Sequence, residues 1–369
     1  MIIKNGKVFT PDGKFTVTDI SFDEKFTSVG KLDATGDLDA AGKYIVPGFI
    51  DIHTHGAVTE DASDGSMAGL EQMSRYYADN GVTSWCPTTM TLKEPVLERA
   101  MHAIRDFQTQ GARCAGVNLE GPFLCYAKRG AQAAENLHAP DAEMFKRLNE
   151  ASGNQIRLVT VACEEPGAME FIEEVSKLCT VSLGHTVANY DQAMEGFRRG
   201  ASHTTHLFNG MNPLHHRDPA VIGAAYDSGA TVELICDGLH IHPAVIRMMF
   251  QLYGEKLVLI SDSLRCAGMP DGEYTLGGQP IEMKNGKATL KGSDTLAGSS
   301  ISVLRAVQNV VGFGVELEKA VYAATMAPAK VIGMEDKIGS IAAGKYADFL
   351  ILDDNLNLEA VYIGGKQYY

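Results

Sequence analysis

The residues most able to do chemistry are His53, His55, Glu120, His185, His206 and Asp262, and each stands at or near the end of a short apolar run. The runs read FIDIHTH, GVNLE, VSLGH, HTTH and LVLISD. Two imidazoles and a carboxylate (His185, His206 and Glu120) make a donor set suited to zinc or a neighbouring divalent ion, with a coordination position left for water. Such an ion lowers the pKa of its water from about 16 to roughly 7, which makes hydroxide available at neutral pH. Asp262 can take the water's proton and deliver it to a leaving amine, acting as general base and then general acid. His53 and His55 are two residues apart, so an extended chain turns both to one face, where a second ion has a place. His203, on the run that ends in His206, reads as a hydrogen-bonded core residue. Asp51 in GFIDIHTHG reads either as a partner of a ligand histidine or as a structural acceptor.

Six such residues ending successive runs require a scaffold that gathers strand ends. Eight segments qualify as strands: 49–55, 82–88, 114–120, 156–162, 180–185, 202–206, 231–236 and 257–262. Helical patterns alternate with them, as in MAGLEQMSRYYADNG, with Met67, Leu70, Met73 and Tyr77 on one face and Gly81 as its stop. HPAVIRMMFQLYG, closed by Gly254, is another. Eight strand–helix repeats predict an α/β chain folded as a (β/α)₈ TIM barrel, which builds its sites from the C-terminal ends of the strands. An open doubly wound sheet is the alternative. Residues 1–48 and 338–369 alternate as short strands and are expected to form one small β-sandwich domain, leaving 49–337 as the barrel. DGEYTLGGQPIEMKNGKATLKG at 271–292 predicts a hairpin turning at Asn285-Gly286, followed by helices at 298–313 and 317–332.

A net charge of −14 argues against nucleic acid or anionic membrane as a partner. A small anion would have to be met by local Arg, His or backbone N–H groups. No apolar stretch is long enough to span a bilayer, and MIIKNGKVFT carries no apolar leader. The seven cysteines are unpatterned, with no CxxC pair, which fits reduced thiols and a cytoplasmic location.

With those residues in view, the chain resembles the amidohydrolase superfamily and, within it, the N-acetylglucosamine-6-phosphate deacetylase family. PGFIDIHTHG at 47–56 and GSIAAGKYADFLILD near the end are similar to segments general to the superfamily. NLEGPFL, SLGHT, THLFNGM, DGLHIHP, LISDS and TLAGS are similar to the deacetylase family more narrowly. The resemblance implies hydrolysis of the acetamido group of N-acetylglucosamine 6-phosphate, with Glu120, His185 and His206 binding the metal and Asp262 as acid/base. It implies Zn²⁺ first, with Fe²⁺ or Mn²⁺ as alternatives, and one or two ions, the second on His53 and His55. It further implies that Asn209 and Gly210 hold the sugar and that Arg217 and His240 contact the phosphate. Ala131, Leu296 and Ala297 would line the pocket. In this family the phosphate-binding arginine is typically lent by the partner in a homodimer. One departure is Gln132, where some members have a histidine that helps polarise the amide carbonyl; glutamine donates a hydrogen bond but carries no charge. Rival expectations are a deacetylase of N-acetylgalactosamine 6-phosphate and a non-catalytic scaffold on the same barrel, although a scaffold should have lost ligands that are all present here. Dihydroorotase-type relatives bridge two metals with a modified lysine on a central strand, and the segment 156–162 holds none.

Overall fold

A computed structural model describes all 369 residues. Its centre is a parallel barrel of β1 (Phe49–Thr54), β2 (Val82–Thr89), β3 (Val117–Glu120), β4 (Ile156–Val161), β5 (Thr180–Leu183), β6 (His203–Thr204), β7 (Thr231–Ile235) and β8 (Leu257–Ile260). Each strand pairs with the next in chain order. The ring closes just past the last strand, where the Asp262 N–H donates to the His53 carbonyl and the His55 N–H to the Ser263 carbonyl, both at 2.9 Å. The open-sheet alternative is thereby set aside.

The strands are buried on both faces because amphipathic helices cover them from outside. The helix Met67–Asp79 buries Leu70, Met73 and Tyr77, begins at a Ser66 cap and gives way to Gly81 at φ +78°. The helix Pro243–Tyr253 ends at Gly254, φ +52°, as its sequence requires. Two helical spans are shorter than expected. Residues 298–302 stay non-helical, because Ser299 bonds back to Asp262 and Leu264, and Ser302 then caps a helix that starts at Val303. The last helix divides at Thr325 into Leu317–Ala324 and Met326–Val331. Pro328 has no N–H to offer the Ala324 carbonyl, so a continuous helix loses a bond there.

Both chain ends share one sheet, in which Phe349–Leu352 pairs antiparallel with Tyr44–Pro47, which in turn lies parallel to Ile2–Phe9. Phe22 and Tyr362 lie on strands four places apart in that sheet, a separation near 19 Å if it were flat. Their rings are 5.6 Å apart, and Phe22 meets Phe349 at 5.0 Å. The sheet therefore doubles over its own apolar face, forming the expected sandwich. The excursion after β8 is a three-stranded meander, Gly272–Leu276, Gln279–Lys284 and Lys287–Leu290, so a second turn at Gly277-Gly278 joins the one expected at Asn285-Gly286.

Candidate active site

The site is assembled where the strands run out. Glu120 is the last residue of β3, whereas β5, β6 and β8 each stop two residues before His185, His206 and Asp262. Those three leave the strand direction through left-handed backbone, with φ of 47°, 25° and 48°. This conformation costs a non-glycine residue roughly 1–3 kcal/mol, and its clustering is typical of functional sites. The turn swings each side chain over the mouth instead of along the wall. His53 and His55, on and just after β1, face the same way, with ring centroids 5.3 Å apart.

The six side chains converge. Glu120 Oε1 lies 3.1 Å from His185 Nε2, 2.9 Å from His206 Nε2 and 3.4 Å from His53 Nε2. Glu120 Oε2 is 3.1 Å from His55 Nε2. Asp262 Oδ1 lies 3.4 Å from His55 Nε2 and 3.6 Å from His53 Nε2. All six are buried.

Donor chemistry tests whether a cation fits. His185 Nδ1 is 2.7 Å from the Lys128 carbonyl, and His206 and His55 Nδ1 are each 3.2 Å from the carbonyls of Asn209 and Thr88. A carbonyl only accepts, so each Nδ1 carries a proton, and in the neutral ring each Nε2 presents a lone pair. His185 and His206 then bring these nitrogens 3.0 Å from each other and 3.1 and 2.9 Å from Glu120 Oε1. His53 Nε2 is buried with no hydrogen-bond partner at all. Imidazole nitrogens and carboxylate oxygens packed this closely are the donor set of a cation site, and His53, Glu120 and His206 on one side and His53, His55 and Asp262 on the other are close enough to share ions.

The electrostatics agree. Burial pushes the Glu120 carboxyl up, yet His53 and His185 beside it hold it well below the usual carboxylate range. Burial pulls the His55 imidazole down, and hydrogen bonds to Asp262 and Glu120 more than reverse that, to about 9. The pocket's acidic groups thus draw positive charge inward.

A cavity of about 400 Å³ opens over this cluster, and of the sugar-side residues expected from sequence, Ala131, Gln132, Asn209, Gly210, His240, Leu296 and Ala297 all line it. Gly210 sits at φ +59°, and a Cβ there would stand 3.0 Å from His185 Nδ1. Gln132 is held at both ends, accepting from the Thr91 N–H at 2.8 Å and donating to Glu120 Oε2 at 2.6 Å. His240 Nδ1 is 2.6 Å from Asp237 Oδ2, which fixes its ring. Arg217 is not brought in. It is exposed, bonds the His216 ring at 2.6 Å and borders an outer depression with Tyr190 and Asp227.

His203 is the buried, bonded residue expected, but its partner escaped the sequence reading. Glu233 on β7 is wholly buried and joins His203, His53 and the His206 backbone. A lone carboxylate inside the apolar run TVELIC was the available signal, since such a group is rarely buried without partners. Asp51 accepts from the Ser261 hydroxyl and from backbone N–H groups of Ser261 and His53, so it ties β1 to β8. Burial pushes its carboxyl up to about 7.

The fold and the site define a metal-dependent hydrolase of the amidohydrolase class: residues 44–368 match the amidohydrolase family model, and the chain belongs to that family. More particularly, it is 34% identical over 375 residues to N-acetylglucosamine-6-phosphate deacetylase of Vibrio furnissii, covering 99% of this chain and 92% of that one. It is 35% identical over 328 residues to N-acetylgalactosamine-6-phosphate deacetylase of Escherichia coli O157:H7, covering 87% of each. The crystal structure of N-acetyl-D-glucosamine-6-phosphate deacetylase from Mycobacterium smegmatis superposes with a TM-score of 0.94 at 30% identity, over 100% of both chains. No helix is long and apolar enough to cross a membrane.

Proposed function

We propose that this chain hydrolyses the acetamido group of N-acetylglucosamine 6-phosphate, giving glucosamine 6-phosphate and acetate. The observation that carries the reading is the convergence of four imidazole Nε2 atoms on Glu120 and Asp262 beneath a cavity of sugar size. Glu120, His185 and His206 hold a catalytic dication, zinc first, with His53 and His55 as ligands of a second. When bound, such an ion polarises the amide carbonyl and supplies a water acidic enough to be the nucleophile at neutral pH.

The protein's own groups do the remaining work. Asp262, at the rim of the cluster and facing the cavity, accepts the proton of the attacking water and returns it to the departing amine. Asn209 and Gly210 orient the sugar ring. Gln132 can release its hydrogen bond from Glu120 to donate to the carbonyl. His240, braced by Asp237, gives one donor to the phosphate. Arg217 supplies the charge-matched fork from the second subunit of a homodimer, because within one chain it lies away from the cavity. A soluble, cytoplasmic enzyme of amino-sugar breakdown fits these parts.

A galacto-configured substrate is the second reading, favoured by the 35% identity to a deacetylase of that sugar. Acetate release from both 6-phosphorylated N-acetylhexosamines and from their unphosphorylated forms tests the proposal. The expected result is a kcat/KM for N-acetylglucosamine 6-phosphate at least about a hundredfold above the unphosphorylated sugar, the scale of a lost ionic contact. Equal turnover of phosphorylated and free sugars would refute it.

A further inference from the structure

Three of the four site histidines have their Nδ1 protons held by neutral backbone carbonyls, at Thr88, Lys128 and Asn209. His53 differs. Its Nδ1 lies 2.8 Å from Glu233 Oε2, a carboxylate with no solvent exposure. Its two oxygens meet only the His53 ring, the His203 ring and the His206 backbone N–H, so Glu233 acts as an acceptor on every side. A carboxylate at Nδ1 fixes a proton there, which in the neutral ring leaves Nε2 stripped of its own and makes that nitrogen a stronger donor of electrons than a carbonyl partner would. The stripped Nε2 is the atom left buried without a partner, 3.4 Å from Glu120 Oε1 and 3.6 Å from Asp262 Oδ1.

Glu233 is itself anchored on its far side. Its Oε1 is 3.1 Å from His203 Nε2, and His203 Nδ1 is 2.6 Å from the Thr231 hydroxyl. Its Oε2 also accepts the His206 backbone N–H at 3.0 Å. One carboxylate therefore fixes the tautomer of His53 and the left-handed turn that delivers His206. A carboxylate buried this deeply costs several kcal/mol, and nothing in the barrel wall's packing calls for it.

We infer that Glu233, braced by His203, is a positioning residue that arms His53 as a ligand and so builds the second of two cation sites, the one shared by His53, His55 and Asp262. The inference rests on the metal-dependent reading given above. Its test is the zinc stoichiometry and affinity of chelator-stripped full-length protein, wild type beside Glu233→Gln, read by competition with a chromophoric chelator. Wild type should take up two equivalents, and the variant should keep the first while binding the second about ten- to a hundredfold more weakly. Two equivalents with unchanged affinities in the variant would overturn the inference and leave the metal-dependent reading intact. A single equivalent in the wild type would do the same. No uptake by wild type would bring down both. Should Glu233→Gln fail to fold, ¹⁵N-histidine spectra of the zinc-loaded wild type decide. A His53 proton on Nδ1, with Nε2 shifted by metal, supports the inference, and a proton on Nε2 overturns it.

Discussion

At the scale of single residues, Asp262 is the group whose position most needs chemistry to explain it. It is buried, takes a strained φ of +48° and faces both His53 and His55 and the cavity. Asp262→Asn retains the shape and the hydrogen bonds but cannot carry a proton between water and amine. Its kcat is expected to fall by about 10²–10⁴, while the zinc equivalent held by Glu120, His185 and His206 and the substrate affinity stay near wild type. Near-normal turnover would remove Asp262 from its role. Residue identity carried this far from sequence because histidines and acids ending run after run have no structural reason to do so. What sequence could not display was the second rank. Glu233 lies on a strand that ends in no ligand, so its partners, His53 and His203, become visible only once β1, β6 and β7 stand side by side. Gln132 was legible as a pocket residue, but its bond to Glu120 was not, because the two stand twelve positions apart across an irregular segment.

At the scale of elements, the strands were legible to within a few residues because their apolar runs are short and bounded. Their ends were not, since the left-handed turns at His185, His206 and Asp262 are set by tertiary bonds such as that from the Asp262 N–H to the His53 carbonyl. The junction of β1 with the segment after β8 is correspondingly tight. A Cβ on Gly56 would lie 2.3 Å from the Glu60 carbonyl oxygen and 2.9 Å from the Arg265 nitrogen, both backbone atoms that cannot swing aside. Gly56→Ala is therefore expected to destabilise the protein by about 1–3 kcal/mol, measured by urea denaturation, and to lower activity with it by displacing His55. Unchanged stability would mean that this closure is looser than its geometry. The early start expected for the helix at Val303 failed for a related reason. Residues 298–302, Gly-Ser-Ser-Ile-Ser, are poor helix formers, and Ser299 is committed to the strand ends beside it.

At the scale of the whole molecule, the location of Arg217 is the feature that one chain does not explain by itself. Only resemblance assigns it to a phosphate, and it lies on the outer surface next to Tyr190 and Asp227. If it serves a neighbouring subunit, two inactive proteins should repair each other. Mixing Arg217→Ala with Asp262→Asn subunits under exchange is expected to restore up to about a quarter of wild-type activity, the statistical share for random pairing in a two-fold dimer. No recovery, with heterodimers demonstrated, would place the phosphate contact within one chain. The central claim is that a cation held by Glu120, His185 and His206 drives the hydrolysis, and metal removal addresses it most directly. Acetate release from N-acetylglucosamine 6-phosphate should vanish when the protein is stripped by chelator and return on titration with zinc, saturating by two equivalents. Full activity in protein shown to be metal-free would contradict the account.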